Sequence, residues 1–240
     1  MRILVIENDS RAPAGIVGER MAARGLTADV VRPHDGDSLP DHPDGYAGAV
    51  ILGGTMAADD DAGFPVFRPM VNLLQRFHAE ERPLLGICLG SQLLARSFGG
   101  TVRRFEGGLE LGYVPISLTE AGASDPLLAG TGPAQRIMQW HQDTFDLPRD
   151  AVHLMEGAAC RAQAFRFGRS AYAFQCHFEA HPGIVDGWLA AYAGTLPRHY
   201  GEAAPSHVER VRRETAEHAA AQRRFAETVS DRWLDLVQGS

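Results

Sequence analysis

Residues 84–92, Leu-Leu-Gly-Ile-Cys-Leu-Gly-Ser-Gln, set a cysteine between two spaced glycines where an apolar run gives way to a helix-forming one. Few local structures accommodate this. A Gly-x-Cys-x-Gly junction fits a sharp strand-to-helix turn: the central side chain projects above the sheet, and the glycines let a neighbouring strand approach the backbone closely. The helix that follows points its positive end at the thiol and favours the thiolate. Cys88 is then an activated nucleophile or, on the plainer reading, a buried core cysteine, since free cysteine is among the most buried residue types.

The pattern around this junction alternates strand and helix. Strands are expected at Ile3–Ile6, Thr27–Val31, Gly48–Leu52 and Pro83–Ile87, with helices near Pro13–Arg24 and Val66–Ala79. Such alternation implies an α/β fold with a mostly parallel central sheet and helices on both faces. Ligands of such sheets bind outside the carboxyl ends of the strands, where both Gly53-Gly54 and Cys88 fall. Between Thr101 and Val152 the pattern changes to short strands and turns, which predicts an antiparallel extension. Ala171–Cys176 then reads as a strand returning to the core sheet, so the chain is expected to form one domain.

That returning strand delivers His177, Phe178 and Glu179 before a helix begins near Pro182. If the extended conformation persists, His177 and Glu179 project to the same side. A cysteine, then a histidine, then a carboxylate is the order of a nucleophile, its base and the group that orients the base.

Three segments now resemble a known family, the class I (triad type) glutamine amidotransferases. They are Ile51-Leu52-Gly53-Gly54-Thr55, Leu85-Gly86-Ile87-Cys88-Leu89-Gly90-Ser91-Gln92-Leu93-Leu94, and Phe174-Gln175-Cys176-His177-Phe178-Glu179. The likeness runs from about residue 1 to 195 and is nearest to free-standing members that resemble the glutaminase domain of GMP synthetase; Trp140-His141-Gln142-Asp143-Thr144-Phe145 also looks like a segment found among them. The residue between the histidine and the acid, commonly proline in the family, is Phe178 here. That departure spares every reactive group. The resemblance implies a flavodoxin-like three-layer fold over residues 1–195. Residues 196–240 would be a C-terminal helical extension packed on the same domain.

It also implies a mechanism. Cys88 would attack the γ-carboxamide of glutamine, with the backbone N–H groups of Leu89 and Gly54 holding the oxyanion. His177 would move the proton and Glu179 would hold its imidazole. Gln92, one helical turn beyond Cys88, is expected to hydrogen-bond substrate. The resemblance assigns the amino-acid end of the substrate to the backbone from Trp140 to Gln142.

Composition removes other classes. The formal charge of −7 argues against nonspecific nucleic-acid binding. No apolar run approaches the roughly 18 residues of a membrane span. Met1-Arg2 leads straight into a strand and leaves no room for a signal peptide, so a cytoplasmic location is expected. Three cysteines without regular spacing form no disulfide framework, and a reducing compartment suits a thiol nucleophile. The chain has no lysine, which excludes Schiff-base chemistry and a Walker A site. No cofactor or metal is expected: His177 and His181 flank Glu179 in the wrong order for a zinc-protease motif, and Asp59-Asp60-Asp61 reads as a solvated loop. His141 reads as a wall residue, and Cys160 and Cys176 as structural.

From about Pro205 to Val237 the chain is helical, with Val208, Val211, Phe225, Val229, Trp233, Leu236 and Val237 at helical spacing. This face packs on the parent domain or forms an interface; the sequence leaves the oligomeric state open. It also leaves open three functions. One is a glutaminase that supplies ammonia to a separate synthase subunit. Another is a free-standing hydrolase of γ-glutamyl amides or peptides, and the third is a silent binding protein on the same fold.

Overall fold

The run Ile3-Leu4-Val5-Ile6 is apolar on both of its faces, and such a run is stable only inside a sheet covered on both sides. In the computed structural model, which describes residues 1–239, it lies in strand β1 (Arg2–Ile6). Helix α1 (Gly15–Ala23), β2 (Thr27–Val31), β3 (Gly48–Ile51), α2 (Phe67–Ala79), β4 (Leu84–Ile87) and α3 (Leu89–Ser97) follow. The next segment holds β5 (Val102–Arg104), β6 (Glu110–Leu118), the short α4 (Glu120–Ser124), β7 (Ala134–His141), β8 (Asp143–Phe145), β9 (Val152–Gly157) and β10 (Ala164–Phe167). Strand β11 (Ala171–Phe174) returns to the centre, and α5 (Pro182–Tyr192), α6 (Pro197–Tyr200) and α7 (Ala204–Gln238) complete the chain.

Among the described residues nine strands form one sheet in the order β2-β1-β3-β4-β11-β10-β9-β6-β7. From β2 to β11 all neighbours are parallel, and from β11 onward they are antiparallel. The parallel half has the flavodoxin-like order, whose ligand crevice lies beyond the carboxyl ends of the strands. Side-chain alternation sorts the core into two layers. Ile3 and Val5 face α1 and the second half of α7, through Ile16, Val17, Phe225, Val229 and Trp233. Leu4 and Ile6 face α2 and α3, through Phe67, Met70, Phe77, Leu93 and Leu94.

The antiparallel extension is present, with the short strands β5 and β8, but two of its strands are longer than expected: β6 and β7 pair from Glu110–His141 to Ser117–Ala134, while β6 meets β9 only at Ile116–Leu118. The outer half of this ribbon is therefore free to curl back over the carboxyl ends of the parallel strands. There the Trp140 carbonyl lies 4.0 Å from Cys88 Sγ, and the Met138 carbonyl accepts the His177 N–H at 2.8 Å. A second correction concerns the returning strand, which ends at Phe174 and not at Cys176. Beyond Phe174 the chain has left its pairing with β4, and the His177 N–H is taken by Met138 of the ribbon.

Helix α7 is integral to this packing. Trp233 is fully buried and donates its Nε1–H to the Leu84 carbonyl at 3.2 Å, beside the strand that carries the cysteine. Trp233→Ala should therefore cost about 3–5 kcal/mol, the range for deleting a buried aromatic. Denaturant unfolding of the full chain measures this. An unchanged midpoint would contradict the packing described.

Candidate active site

Cys88 stands between β4 and α3 with φ 51° and ψ −111°, a region that non-glycine residues occupy only when their surroundings force it. The surroundings are specific. Its N–H donates to the Phe174 carbonyl at 2.8 Å, and its own carbonyl accepts from the N–H groups of Ser91 and Gln92 and from Ser91 Oγ. A Cβ on Gly90 would lie 2.0 Å from the Ile51 carbonyl oxygen, and one on Gly86 2.6 Å from the Gly90 carbonyl oxygen. Only glycine fits at either position, so α3 packs directly on the backbone of β3 and β4. The turn at Cys88 follows from that approach.

His177 and Glu179 lie in the loop between β11 and α5, both buried. Their side chains meet through a turn and not through the continued strand that alternation had required: His177 Nδ1 is 2.7 Å from Glu179 Oε1. The Glu179 carbonyl accepts the Ile16 N–H at the start of α1, which ties the loop to the helix. The Trp188 ring packs edge-on to the imidazole with centroids 4.7 Å apart. Burial alone would lower the His177 pKa, but the Glu179 carboxylate and the neighbouring Cys88, when ionised, outweigh it and hold the pKa well above its ordinary value.

Cys88, His177, Gly54, Gln92, Trp140 and Gln142 all line one cavity at the carboxyl ends of the strands. Among the described residues no acceptor takes the backbone N–H of Gly54 or Leu89, so both donors are free. Gln92 is more constrained than expected. Its Nε2 donates to the Asp143 carbonyl and to Gln175 Oε1, at 3.1 and 3.2 Å, leaving its Oε1 as the atom available to a ligand. The Gln142 carbonyl is likewise engaged by the Phe105 N–H, and its Oε1 lies 3.4 Å from Arg104 Nη1.

Several site residues carried no usable sequence signal. Trp188 lines the cavity, and Arg104, paired with Asp143 at 3.0 Å, and Arg11, over the Tyr192 ring, stand at its mouth. In the wall itself, as expected, His141 Nε2 is 2.8 Å from Glu110 Oε2 and its Nδ1 is 2.9 Å from the Asp143 carbonyl. Glu110, His141 and Cys160 bring potential metal-ligand atoms within 4.8 Å of one another. Each is already engaged, Cys160 by Thr144 at 3.2 Å and Glu110 also by Gln163, so the cluster is a satisfied polar network. Burial pushes the Cys160 thiol up to about 11 and holds that of Cys176 well above its ordinary value.

The His177 pKa yields a prediction. A pKa raised by folding contributes stability in full below the unfolded value of 6.5, and that stability is lost as pH rises through the higher folded value. In Glu179→Gln the main raising charge is gone and burial acts with less opposition, so the His177 titration followed by NMR should move to lower pH. An unmoved midpoint would contradict the coupling of the two groups.

The family model for glutamine amidotransferase class-I matches residues 14–189. The glutamine amidotransferase-like protein YfeJ of Salmonella typhimurium is 31% identical over 192 residues, 79% of this chain and 80% of its own length. One of the subunits of the glutamine-hydrolysing GMP synthase of Methanococcoides burtonii is 32% identical over 145 residues, covering 60% of this chain and 68% of that protein. The crystal structure of a glutamine amidotransferase from Thermotoga maritima superposes with a TM-score of 0.84 at 26% identity, over 100% of this chain and 99% of that one. With the family model spanning the elbow, the histidine and the acid, the chain belongs to the class I glutamine amidotransferases.

Proposed function

We propose that this chain hydrolyses the γ-carboxamide of glutamine and releases ammonia to an acceptor on a separate synthase subunit. One observation carries this reading. A cysteine at a strained strand-to-helix turn and a buried histidine line the same cavity, and the histidine is held from behind by Glu179. In the proposed reaction the Cys88 thiolate attacks the amide carbon and the oxyanion forms against the free N–H groups of Leu89 and Gly54. His177, protonated at its raised pKa, gives a proton to the departing ammonia. It then takes one from the water that cleaves the γ-glutamyl thioester. Glu179 holds Nδ1 and stabilises the imidazolium, while Gln92 Oε1 and the backbone between Trp140 and Gln142 face the amino-acid end of the substrate. The reading needs no metal or cofactor. Its ammonia acceptor is sought on another polypeptide because the GMP synthase relative is by name one subunit of a synthase. A thiol nucleophile fits the reducing cytoplasm.

The mouth of the cavity favours a second reading. Asp9, Arg11, Thr55, Tyr192 and Thr195 extend it beyond the groups needed for glutamine itself. A mouth lined by charged and polar side chains suits a leaving group larger than ammonia, as in a γ-glutamyl amide or peptide. Comparing kcat/KM for glutamine and for a series of γ-glutamyl amides with the isolated chain separates the two. A preference of about tenfold or more for a bulky leaving group supports the hydrolase, since that ratio equals about 1.4 kcal/mol of differential binding. Weak turnover confined to glutamine supports the ammonia-supplying reading.

Cys88→Ala should lower turnover on the order of 10³-fold or more without unfolding the protein. An electrophilic glutamine analogue should modify Cys88 and spare Cys160 and Cys176, whose raised pKa values keep them as thiols. Full activity in Cys88→Ala, or label on Cys176, would overturn the assignment.

A further inference from the structure

Among the described residues β7 is the last strand of the sheet, so its outward peptide groups have no neighbouring strand to satisfy them. At Met138 both groups are met from outside the ladder. His177 donates its N–H to the Met138 carbonyl at 2.8 Å, the first half of the two-bond exchange that facing residues make in an antiparallel pair. The return bond, from the Met138 N–H to the His177 carbonyl, is interrupted by a side chain. Gln222 of α7, almost completely buried, accepts the Met138 N–H on Oε1 at 2.8 Å. Its Nε2 donates to the His177 carbonyl at 3.2 Å and to the Ala180 carbonyl at 2.6 Å.

We infer that Gln222 is a positioning residue for His177: its carboxamide stands in for a missing peptide group between Met138 and the 177–180 loop. This rests on His177 being the base of the reaction proposed above. The physical reason is local. If His177 paired fully with Met138 the chain would continue as a strand, and Glu179 would be carried along the ribbon. With an amide inserted, one bond to Met138 is kept while the carbonyls of His177 and Ala180 converge on a single NH₂ group. The chain turns between them and brings Glu179 Oε1 to His177 Nδ1 at 2.7 Å. Both N–H bonds and the oxygen of the carboxamide are used, so no shorter or apolar side chain replaces it. Leucine would strand one buried N–H and remove a donor from two carbonyls. Gln222 is not itself part of the cavity lining, and its effect passes through the backbone of His177.

The test uses the full chain with Gln222→Leu and Gln222→Glu. The second keeps an acceptor for Met138; as a carboxylate it offers no donor to the two carbonyls, and where burial protonates it a single O–H replaces two N–H bonds. Val229→Ala, a buried change on the same helix away from the loop, controls for lost stability. For glutamine hydrolysis, both Gln222 variants should lose about 10- to 100-fold in kcat with KM changed less than about threefold, as displacement of a catalytic group without loss of the substrate site requires. The downfield NMR resonance of the His177 Nδ1 proton shared with Glu179 should weaken or vanish in both, and persist in Val229→Ala. Wild-type kcat and an unaltered Nδ1 proton signal in folded Gln222→Glu would overturn the inference. A wild-type chain that hydrolyses no γ-glutamyl compound would refute the proposed function instead, and the Nδ1 proton signal would still decide whether Gln222 sets the geometry of the pair.

Discussion

The site depends on one close contact, the packing of the Gly90 backbone against the carbonyl of Ile51. It brings the first turn of α3 onto β3, and the chain can reach that position from β4 only by turning sharply at Cys88. The positive φ of Cys88 is the consequence, and the energy stored there is held by bonds from Phe174, Ser91 and Gln92 on either side of the turn. The same approach leaves the Leu89 and Gly54 N–H groups without acceptors beside the thiol. A backbone constraint thus produces both the cavity-facing nucleophile and the donors beside it.

The second half of the site is assembled from distant parts of the chain. The ribbon of β6 and β7 curls over the parallel strands, α5 supplies Trp188 against His177, and α1 binds the Glu179 carbonyl. Helix α7 contributes at two places, Trp233 under β4 and Gln222 under the histidine loop. The helix lies outside the span of the family model, which ends at residue 189, yet its packing is continuous with the core. Geometry at His177 is therefore a property of the entire chain. The paired charges are buried, so their mutual effect is screened little by solvent, and the raised His177 pKa follows from that.

What the sequence made legible was whatever is written locally. The strands of the parallel half were apparent because all but the edge strand β2 are short apolar runs bounded by turn residues, and the elbow because glycine spacing around a cysteine leaves few alternatives. Helix α7 was visible through the spacing of Phe225, Val229 and Trp233. Strands β9 and β10 were not seen. Val152–Gly157 mixes His153 and Glu156 among apolar residues, and Ala164–Phe167 is four residues long, so neither shows a clear period. The end of β11 at Phe174 was missed because it is set by Met138, distant in sequence. Gln222 sits in a polar stretch, Ala-Ala-Gln-Arg-Arg, where nothing marks one glutamine as buried. His177 and Glu179 were paired correctly in space for a reason that the structure replaces, a turn in place of a strand.

The most direct measurement is to trap the covalent intermediate of the proposed reaction. An activated γ-glutamyl ester, whose leaving group needs no proton from His177, should acylate the enzyme faster than water releases it. Acid quenching within the first turnover, followed by peptide mass mapping, should find one γ-glutamyl group on Cys88 and none on Cys160 or Cys176. Release of the leaving group with Cys88 unmodified, or with the γ-glutamyl group on another residue, would contradict the account.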